Sequence, residues 1–278
     1  MNQKPIAIVE RFVNYHDSVA TCLDRLGAGP FLCASEQILI KPNLVNSTPF
    51  PVTTSPEMIR ALVAYIRANS RARVIIAEGC GDARLETGEI FTRLGFTELA
   101  RELDVELVDL NHEPVTMLKN PHCRVLPTIY LPKIALKGAL ISVPVLKRHS
   151  LAGVTLTMKN MLGLAPPQYY RQKGSWKKSF FHNQMHRSIL ELNLYRAPDL
   201  SLIDATVGMA EYHLGGRTCD PAVNRLVAGF DPVRVDALGA ALLGLSWRDI
   251  PHIRMAHGLL GKAEEEAGAS FSNGRHSS

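Results

Sequence analysis

The chain has 278 residues, 46% of them hydrophobic and 21% charged, and this balance is typical of one large α/β domain. No apolar run approaches the roughly 20 residues that span a bilayer, and the N-terminal residues lack the pattern of a secretory signal, so we expect a cytoplasmic protein without membrane contact. The five scattered cysteines contain no CxxC pair, which fits reduced thiols and argues against an iron–sulfur or structural zinc site.

Strands and helices alternate along the N-terminal half. Strands are predicted at residues 5–9, 36–45 and 105–110, and residues 72–82 are predicted to be a strand that breaks into a glycine-containing loop. Helices are predicted from about Ser55 and at 96–105. Proline ends the second strand, so Lys41 and Asn43 should lie at its carboxyl end. This alternation predicts parallel strands joined by right-handed crossovers.

The C-terminal half is less regular. Strands are predicted at 125–132, 138–147, 199–206 and 224–231, and a helix at 187–197. Asp231 followed by Pro232 is typical of a helix start. We expect residues 1–262 to form a single three-layer α/β domain with a mostly parallel or mixed sheet and flanking helices. Residues 165–187 would be a basic lid, and residues 263–278 a flexible tail.

Negative charge is missing from the middle of the chain. Residues 114–190 hold no Asp or Glu but 12 Lys and Arg, whereas the rest of the chain has 19 basic and 26 acidic residues. This imbalance describes either a solvated basic face, paired with acids from elsewhere in the fold, or a positive groove that concentrates an anion. We expect the groove, with a small anionic molecule as the partner.

The stretch "KRHSLAGVTLTMKNMLG" carries the strongest candidates for chemistry. His149 can exchange protons near neutral pH, and Lys159 lies among other cations that would ease the loss of its proton. Asn160 can donate to an oxyanion, while Lys147 and Thr155 can contact the substrate. An exposed basic loop is the competing interpretation.

Ligands in open α/β sheets bind beyond the carboxyl ends of strands. Lys41 and Asn43, the segment 78–82, and the start of the His149 stretch all fall at such ends, and Asp204 lies near the end of another predicted strand. His182 and His186 are four residues apart, a spacing compatible with a metal on one helix face, but we favour His186 as a lone proton-transfer residue and expect no metal.

Aromatic and basic side chains are interleaved in residues 168–184, "QYYRQKGSWKKSFFHNQ". This mixture is compatible with a nucleic-acid surface, in which aromatic rings stack on bases. It also describes a lid over a small anion, or an ordinary surface loop.

Several stretches together resemble one known family. "ILIKPNLV", "TSPEMIRALV", "VIIAEG", "ISVPVLKRHSLAGVTLTMKNMLG", "LSLIDATVGM" and "NRLVAGFDPVRVDALG" are similar to the family called domain of unknown function 362, over about residues 36–245. Its most specific run corresponds here to Lys147, His149, Thr155, Lys159, Asn160 and Gly163. Some members carry ferredoxin-like cysteine clusters, which this chain lacks, so the resemblance suggests a redox accessory protein only as an alternative.

A more distant resemblance runs to the nickel-pincer lactate racemase family. In both, a histidine precedes a lysine by ten positions, here His149 and Lys159, and a further histidine lies downstream. The resemblance implies that the lysine is tethered to a cofactor and that histidines move the proton. This chain has "LTMKN" in place of the glycine-rich context of that lysine, so the cofactor is left unassigned.

The sequence thus predicts a cleft enzyme that uses His/Lys acid–base chemistry, as in isomerisation or proton abstraction, on a carboxylate or phosphate. The predicted catalytic residues are His149, Lys159 and His186. The predicted substrate-binding residues are Lys41, Asn43, Lys147, Thr155, Asn160 and Asp204. A nucleic-acid-binding protein is the second alternative.

Overall fold

The computed structural model describes residues 5–172 and 176–264, which adopt an α/β fold. The strands are β1 Ala7–Arg11, β2 Gln37–Pro42, β3 Arg73–Glu78, β4 Glu106–Asp109, β5 Val115–Lys119, β6 Thr128–Pro132, β7 Ala139–Val143, β8 Val145–His149, β9 Gly153–Thr155, β10 Leu200–Met209 and β11 Arg225–Gly229. The helices are α1 Tyr15–Leu26, α2 Gly29–Cys33, α3 Pro56–Asn69, α4 Thr87–Arg93, α5 Phe96–Glu102, α6 Thr157–Asn160, α7 Pro167–Tyr170, α8 Met185–Tyr195, α9 Pro232–Leu242 and α10 Pro251–Ala256.

A mixed sheet of nine strands runs through the described part of the chain. Seven strands lie in the order β1-β11-β10-β7-β2-β3-β4, and those from β10 to β4 are parallel. β11 is antiparallel to both of its neighbours. β8 continues beyond β7, pairs in parallel with β10 and carries β9, while β5 and β6 form a separate antiparallel pair. The predicted parallel crossovers and the mixed sheet are confirmed.

Both faces of the sheet are buried, because alternate residues of each central strand enter different cores. On β2, Ile38 and Ile40 belong to one hydrophobic cluster and Leu39 to another on the opposite face. On β10, Leu202 and Ile203 divide in the same way. Side chains alternate across a strand, so helices must cover both faces, and the result is three layers.

The C-terminal segment and the end of β10 bear on two predictions from the sequence. Only Ala263 and Glu264 of the expected flexible tail are described, and the rest of that tail lies outside the described residues. The strand predicted at 199–206 is too short, because β10 continues to Met209. Among the described helices, none combines the length and hydropathy needed to cross a bilayer.

Candidate functional site

A cavity of about 220 Å³ opens at the carboxyl ends of β2, β3 and β8. Lysine and histidine side chains contribute to its wall, whereas Leu151 and Tyr212, each about half exposed, line its mouth. The predicted site residues that line it are Lys41, Asn43, His149, Thr155, Lys159 and Asn160. The structure therefore brings together residues that are far apart in the sequence.

A buried ion pair lies at the base of this cleft. The Nζ of Lys41 lies 2.8 Å and 2.9 Å from the two carboxylate oxygens of Glu78. Glu78 also accepts hydrogen bonds from the backbone N–H groups of Leu44 and Gly79. Burial lowers the pKa of Lys41, and the neighbouring Glu78 opposes that shift. The ammonium of Lys41 is thus already matched by a carboxylate of the protein.

Gly163 packs directly against this ion pair. A Cβ at this position would lie 2.5 Å from the Cε of Lys41, and even closer to the Nζ of Lys41 and to a carboxylate oxygen of Glu78. Since both partners are buried and held by hydrogen bonds, neither can move away easily.

We therefore expect Gly163→Ala to destabilise the protein by about 1–3 kcal/mol, the range of overpacking in a filled core. Gly88→Ala is the matched control, because Gly88 lies in α4 and a Cβ there would contact nothing within 4 Å. The control should be neutral or more stable, since alanine is the better helix former. Urea unfolding of the two variants measures the difference, and equal stability would contradict the packing argument.

Asn160 fixes the same region and has little capacity left for a ligand. Its Oδ1 accepts from the Nζ of Lys41 at 3.2 Å, and its Nδ2 donates to the backbone oxygen of Lys41 and to Ser142 Oγ. The predicted donor to an oxyanion is thus engaged inside the protein, although its side chain lines the cavity.

The short helix α6 presents Lys159, and a carboxylate from α9 holds its first turn. The Oδ atoms of Asp236 accept the backbone N–H groups of Thr157 at 2.7 Å and of Met158 at 3.0 Å. Leu156 precedes the helix and has no polar side chain, so Asp236 supplies the cap from a distance. Burial raises the pKa of Asp236 to about 8.

Lys147 acts on the cleft through Asn43. Its Nζ donates to Asn43 Oδ1 at 2.7 Å and to the backbone oxygen of Val52 at 2.6 Å. The Oδ1 of Asn43 therefore faces Lys147, and its Nδ2 has no acceptor among the described residues. Burial, followed by the charge of Lys159, lowers the pKa of Lys147 to about 7.

Two lysines of the expected basic lid point into the protein. The Nζ of Lys178 donates to the backbone oxygens of Gly79 at 2.7 Å and Gly163 at 2.8 Å, and burial lowers its pKa to about 7. Lys177 pairs with Glu86 at 2.7 Å. Tyr170 and Phe181 are buried as well. Within the described part of residues 168–184, few aromatic and basic side chains remain available to stack on bases.

Lys159 differs from the other lysines of the cleft. Its side chain is partly accessible from the cavity, and among the described residues it has neither a hydrogen-bond acceptor nor an ion-pair partner. Burial, followed by the charge of Lys41, lowers its pKa to about 8. Among the lysines that line the cavity, Lys159 is therefore the amine without a partner in the described residues.

His149 is held in one tautomer. Its Nδ1 accepts the backbone N–H groups of Leu151 and Ala152, both at 3.1 Å, so the neutral ring carries its proton on Nε2. Burial and then the charge of Lys159 hold its pKa well below the usual range. In the absence of a ligand, His149 is a neutral hydrogen-bond donor.

His213 is a residue of the cleft that the sequence did not indicate. Its ring stacks on that of His149 at a centroid distance of 3.8 Å, and its Nδ1 is buried without a partner among the described residues. Burial, followed by the charge of Lys159, lowers its pKa to about 3. His213 lies in the loop after β10, beyond a strand end, which is the one signal that could have identified it.

Two predicted residues lie elsewhere. His186 does not line the cavity, whereas His182 does. The Nδ1 of His186 instead lies 3.1 Å from Nδ1 of His252 on α10. Asp204 lies in the middle of β10, and its carboxylate accepts from Tyr15 Oη at 2.8 Å and from Thr206 Oγ1 at 2.7 Å. Both side chains contribute to packing rather than to the wall of the cleft.

Thr155 follows the expectation more closely. It lines the cavity, and its Oγ1 is buried without a hydrogen-bond partner among the described residues. A buried hydroxyl without a partner is costly, so a ligand that accepts its hydrogen bond would be stabilised.

Comparisons with known proteins identify the family of the chain and support its fold. The model of the family described as Domain of unknown function (DUF362) matches residues 38–241. The thylakoid-associated protein sll1697 of Synechocystis sp. is 27% identical over 244 residues, which cover 84% of this chain and 71% of that protein. The lactate racemase apoprotein from Thermoanaerobacterium thermosaccharolyticum matches with a TM-score of 0.54 at 15% identity, over 87% of this chain and 57% of that chain. The chain thus spans little more than half of the racemase, and this likeness establishes the fold.

His149 is not arranged as a metal ligand. A metal-ligating histidine ordinarily donates its second ring N–H to an acceptor, but Nδ1 of His149 accepts two N–H groups instead. Within the described residues, the three potential ligands close enough to share an ion are Glu86, Asp109 and His112, which do not line the cavity.

Proposed function

The chain belongs to the DUF362 family, and from this premise and the charge of its cleft we propose that it is an enzyme acting on a small anionic substrate, a carboxylate or a phosphate, by His/Lys acid–base chemistry. One observation carries the proposal. The amine of Lys159 has no partner among the described residues, and the Glu78 carboxylate in the same cavity already pairs with Lys41. A substrate anion supplies the missing negative charge.

The donors that would hold the anion line the same cavity as Lys159. The Nδ2 of Asn43, the Oγ1 of Thr155 and the Nε2 of His149 have no acceptor among the described residues. Three hydrogen-bond donors that share a cavity with an amine can stabilise negative charge on oxygen. Lys147 is a positioning residue in this scheme, because it acts by orienting the amide of Asn43.

The proton chemistry follows from the two lowered pKa values. Lys159, with its pKa at about 8, is partly deprotonated near neutral pH, and the fraction that stays neutral beside the substrate anion can accept a proton. Neutral His149 offers its Nε2–H to a carbonyl or phosphoryl oxygen and can donate that hydrogen bond as charge develops on the oxygen. Lys159 is thus the base and His149 the electrophile.

The mouth of the cleft sets the orientation of the substrate. Leu151 and Tyr212 leave apolar surface exposed there, whereas the charged groups lie deeper. A substrate would therefore enter with its anionic end first and leave an apolar end against Leu151 and Tyr212.

Protons should accompany anion binding, and this tests the proposal. The pKa values of Lys147, Lys159 and Lys178 are lowered from 10.5 to about 7 or 8, and an anion bound in the cavity raises them again. Titration calorimetry with lactate and with inorganic phosphate, in buffers of different ionisation enthalpy, should show proton uptake that is largest between pH 7 and 9. Binding without proton exchange, or no binding of either anion at millimolar concentration, would overturn the proposal.

Protein stability gives the matching control. Because the folded-state pKa values of these lysines are lowered, the unfolded chain binds more protons between about pH 7 and 10.5. The ligand-free fold therefore gains stability as the pH rises from 7 towards 9, before the cysteines and tyrosines with raised pKa values titrate. A bound anion should reduce this gain.

A further inference from the structure

We propose, on the basis of the function proposed above, that the substrate is a 2-oxo acid and that the Nζ of Lys159 forms an imine with its carbonyl carbon. A phosphate offers no electrophilic carbon to an amine, whereas a 2-oxo acid combines a carboxylate with an adjacent carbonyl. The inference thus narrows the class of anion and changes the role of Lys159 from base to nucleophile.

The contacts of the cleft lysines single out Lys159. Lys41 donates to Glu78, Lys147 to Asn43 and Val52, and Lys178 to the backbone oxygens of Gly79 and Gly163. Each of these ammonium groups would lose its hydrogen bonds on attacking a carbonyl. Lys159 has no such bonds to lose among the described residues, and its side chain reaches the cavity.

The surroundings of Lys159 also favour the free amine. Burial and the nearby Lys41 bring its pKa to about 8, so a useful fraction of the side chain has an available lone pair near neutral pH. Desolvation and neighbouring cations are the usual means by which proteins activate a lysine for this chemistry.

The reaction balances without an oxidant or a reductant. The lone pair of Nζ forms a C–N bond to the carbonyl carbon, and the π pair of the carbonyl moves to oxygen, which takes a proton. Nζ loses its hydrogens as the carbinolamine expels water, and the product is the imine. When protonated, the imine keeps one positive charge at Nζ, and the substrate carboxylate beside it supplies the negative charge that the cleft lacks.

Reductive trapping tests the inference on the whole protein. Pyruvate and phenylpyruvate are the probes, and sodium cyanoborohydride reduces any imine to a stable secondary amine. With pyruvate we expect one adduct per chain, with a mass gain equal to pyruvic acid less one oxygen atom, and peptide mapping should place it on Lys159. Phenylpyruvate should label the same residue, because its ring can lie against Tyr212 and Leu151 at the mouth.

Two arginine variants supply the controls. Lys159→Arg keeps the positive charge but cannot form the imine, and the adduct should disappear. Lys119→Arg changes an exposed lysine and should label like the original protein. Labelling of other lysines in preference to Lys159, or undiminished labelling of Lys159→Arg, would overturn the inference.

Lactate distinguishes imine formation from anion binding, because it has the carboxylate of a 2-oxo acid but a hydroxyl in place of the ketone. If lactate and pyruvate both raise the melting temperature but pyruvate leaves no adduct, imine formation is wrong and anion binding stands. If neither raises it, the proposed function fails, and the imine fails with it.

Discussion

Replacing Glu78 by glutamine is expected to destabilise the fold by about 3–5 kcal/mol, the cost of breaking a buried ion pair by removing one partner. Both side chains of the pair with Lys41 are almost completely buried. Glutamine keeps the shape but removes the negative charge, so Lys41 is left beside Lys159 and Lys178 without compensation. Chemical denaturation at pH 7 measures the change.

The matched control is Glu106→Gln, since Glu106 pairs with Arg73 where both side chains are well exposed. An exposed pair contributes about 1 kcal/mol or less. The double variant Lys41→Met with Glu78→Gln should recover much of the loss, because it removes the unpaired charge as well. A Glu78→Gln protein as stable as the original would show that Lys41 does not depend on this carboxylate.

Replacing Lys159 by methionine is expected to weaken lactate or phosphate binding by tenfold to a hundredfold and to stabilise the ligand-free fold. A hydrogen bond to a charged group contributes about 1.5–3 kcal/mol, which corresponds to this loss of affinity. Stability should rise although affinity falls, because methionine removes a half-buried cation that has no partner among the described residues. Calorimetry and thermal unfolding of the same sample measure both effects.

Lys137→Met is the control, because Lys137 is exposed and lies outside the cleft. It should leave both anion affinity and stability nearly unchanged. Lower stability of Lys159→Met in the absence of ligand would mean that Lys159 supports the fold, and unchanged anion affinity would remove it from the binding site. Residues at functional sites commonly lower the stability of the fold. Weaker anion binding together with higher stability of Lys159→Met would show that Lys159 is such a residue.

The parallel part of the fold could be predicted because its signals are local. The apolar runs of β2 and β3 end in Pro42 and in a glycine-containing loop, and their order along the chain fixes the crossover. Since the carboxyl ends of parallel strands share one edge, Lys41, Glu78 and His149 could be expected to meet there.

The rest of the site depends on tertiary contacts that no local pattern encodes. His213 reaches the cleft from a loop after β10, and Lys178 reaches the backbone of Gly79 from a segment that was expected to be a lid. His186 was preferred to His182 as the proton-transfer residue, whereas the structure has His182 in the wall of the cleft. Since α8 begins at Met185 and His182 lies in the preceding 3₁₀ turn, the two rings do not share a helix face.

The orientation of Asn43 by Lys147 determines which ligands the cleft would reject. Because its oxygen accepts from that ammonium, the amide has only N–H groups left for a ligand, and Lys159 and His149 also offer N–H groups in the same cavity. A zwitterionic amino acid would place its own ammonium among these donors and find few acceptors. The cleft should therefore discriminate against amino acids of the same carbon skeleton, a selectivity that arises from repulsion rather than from shape.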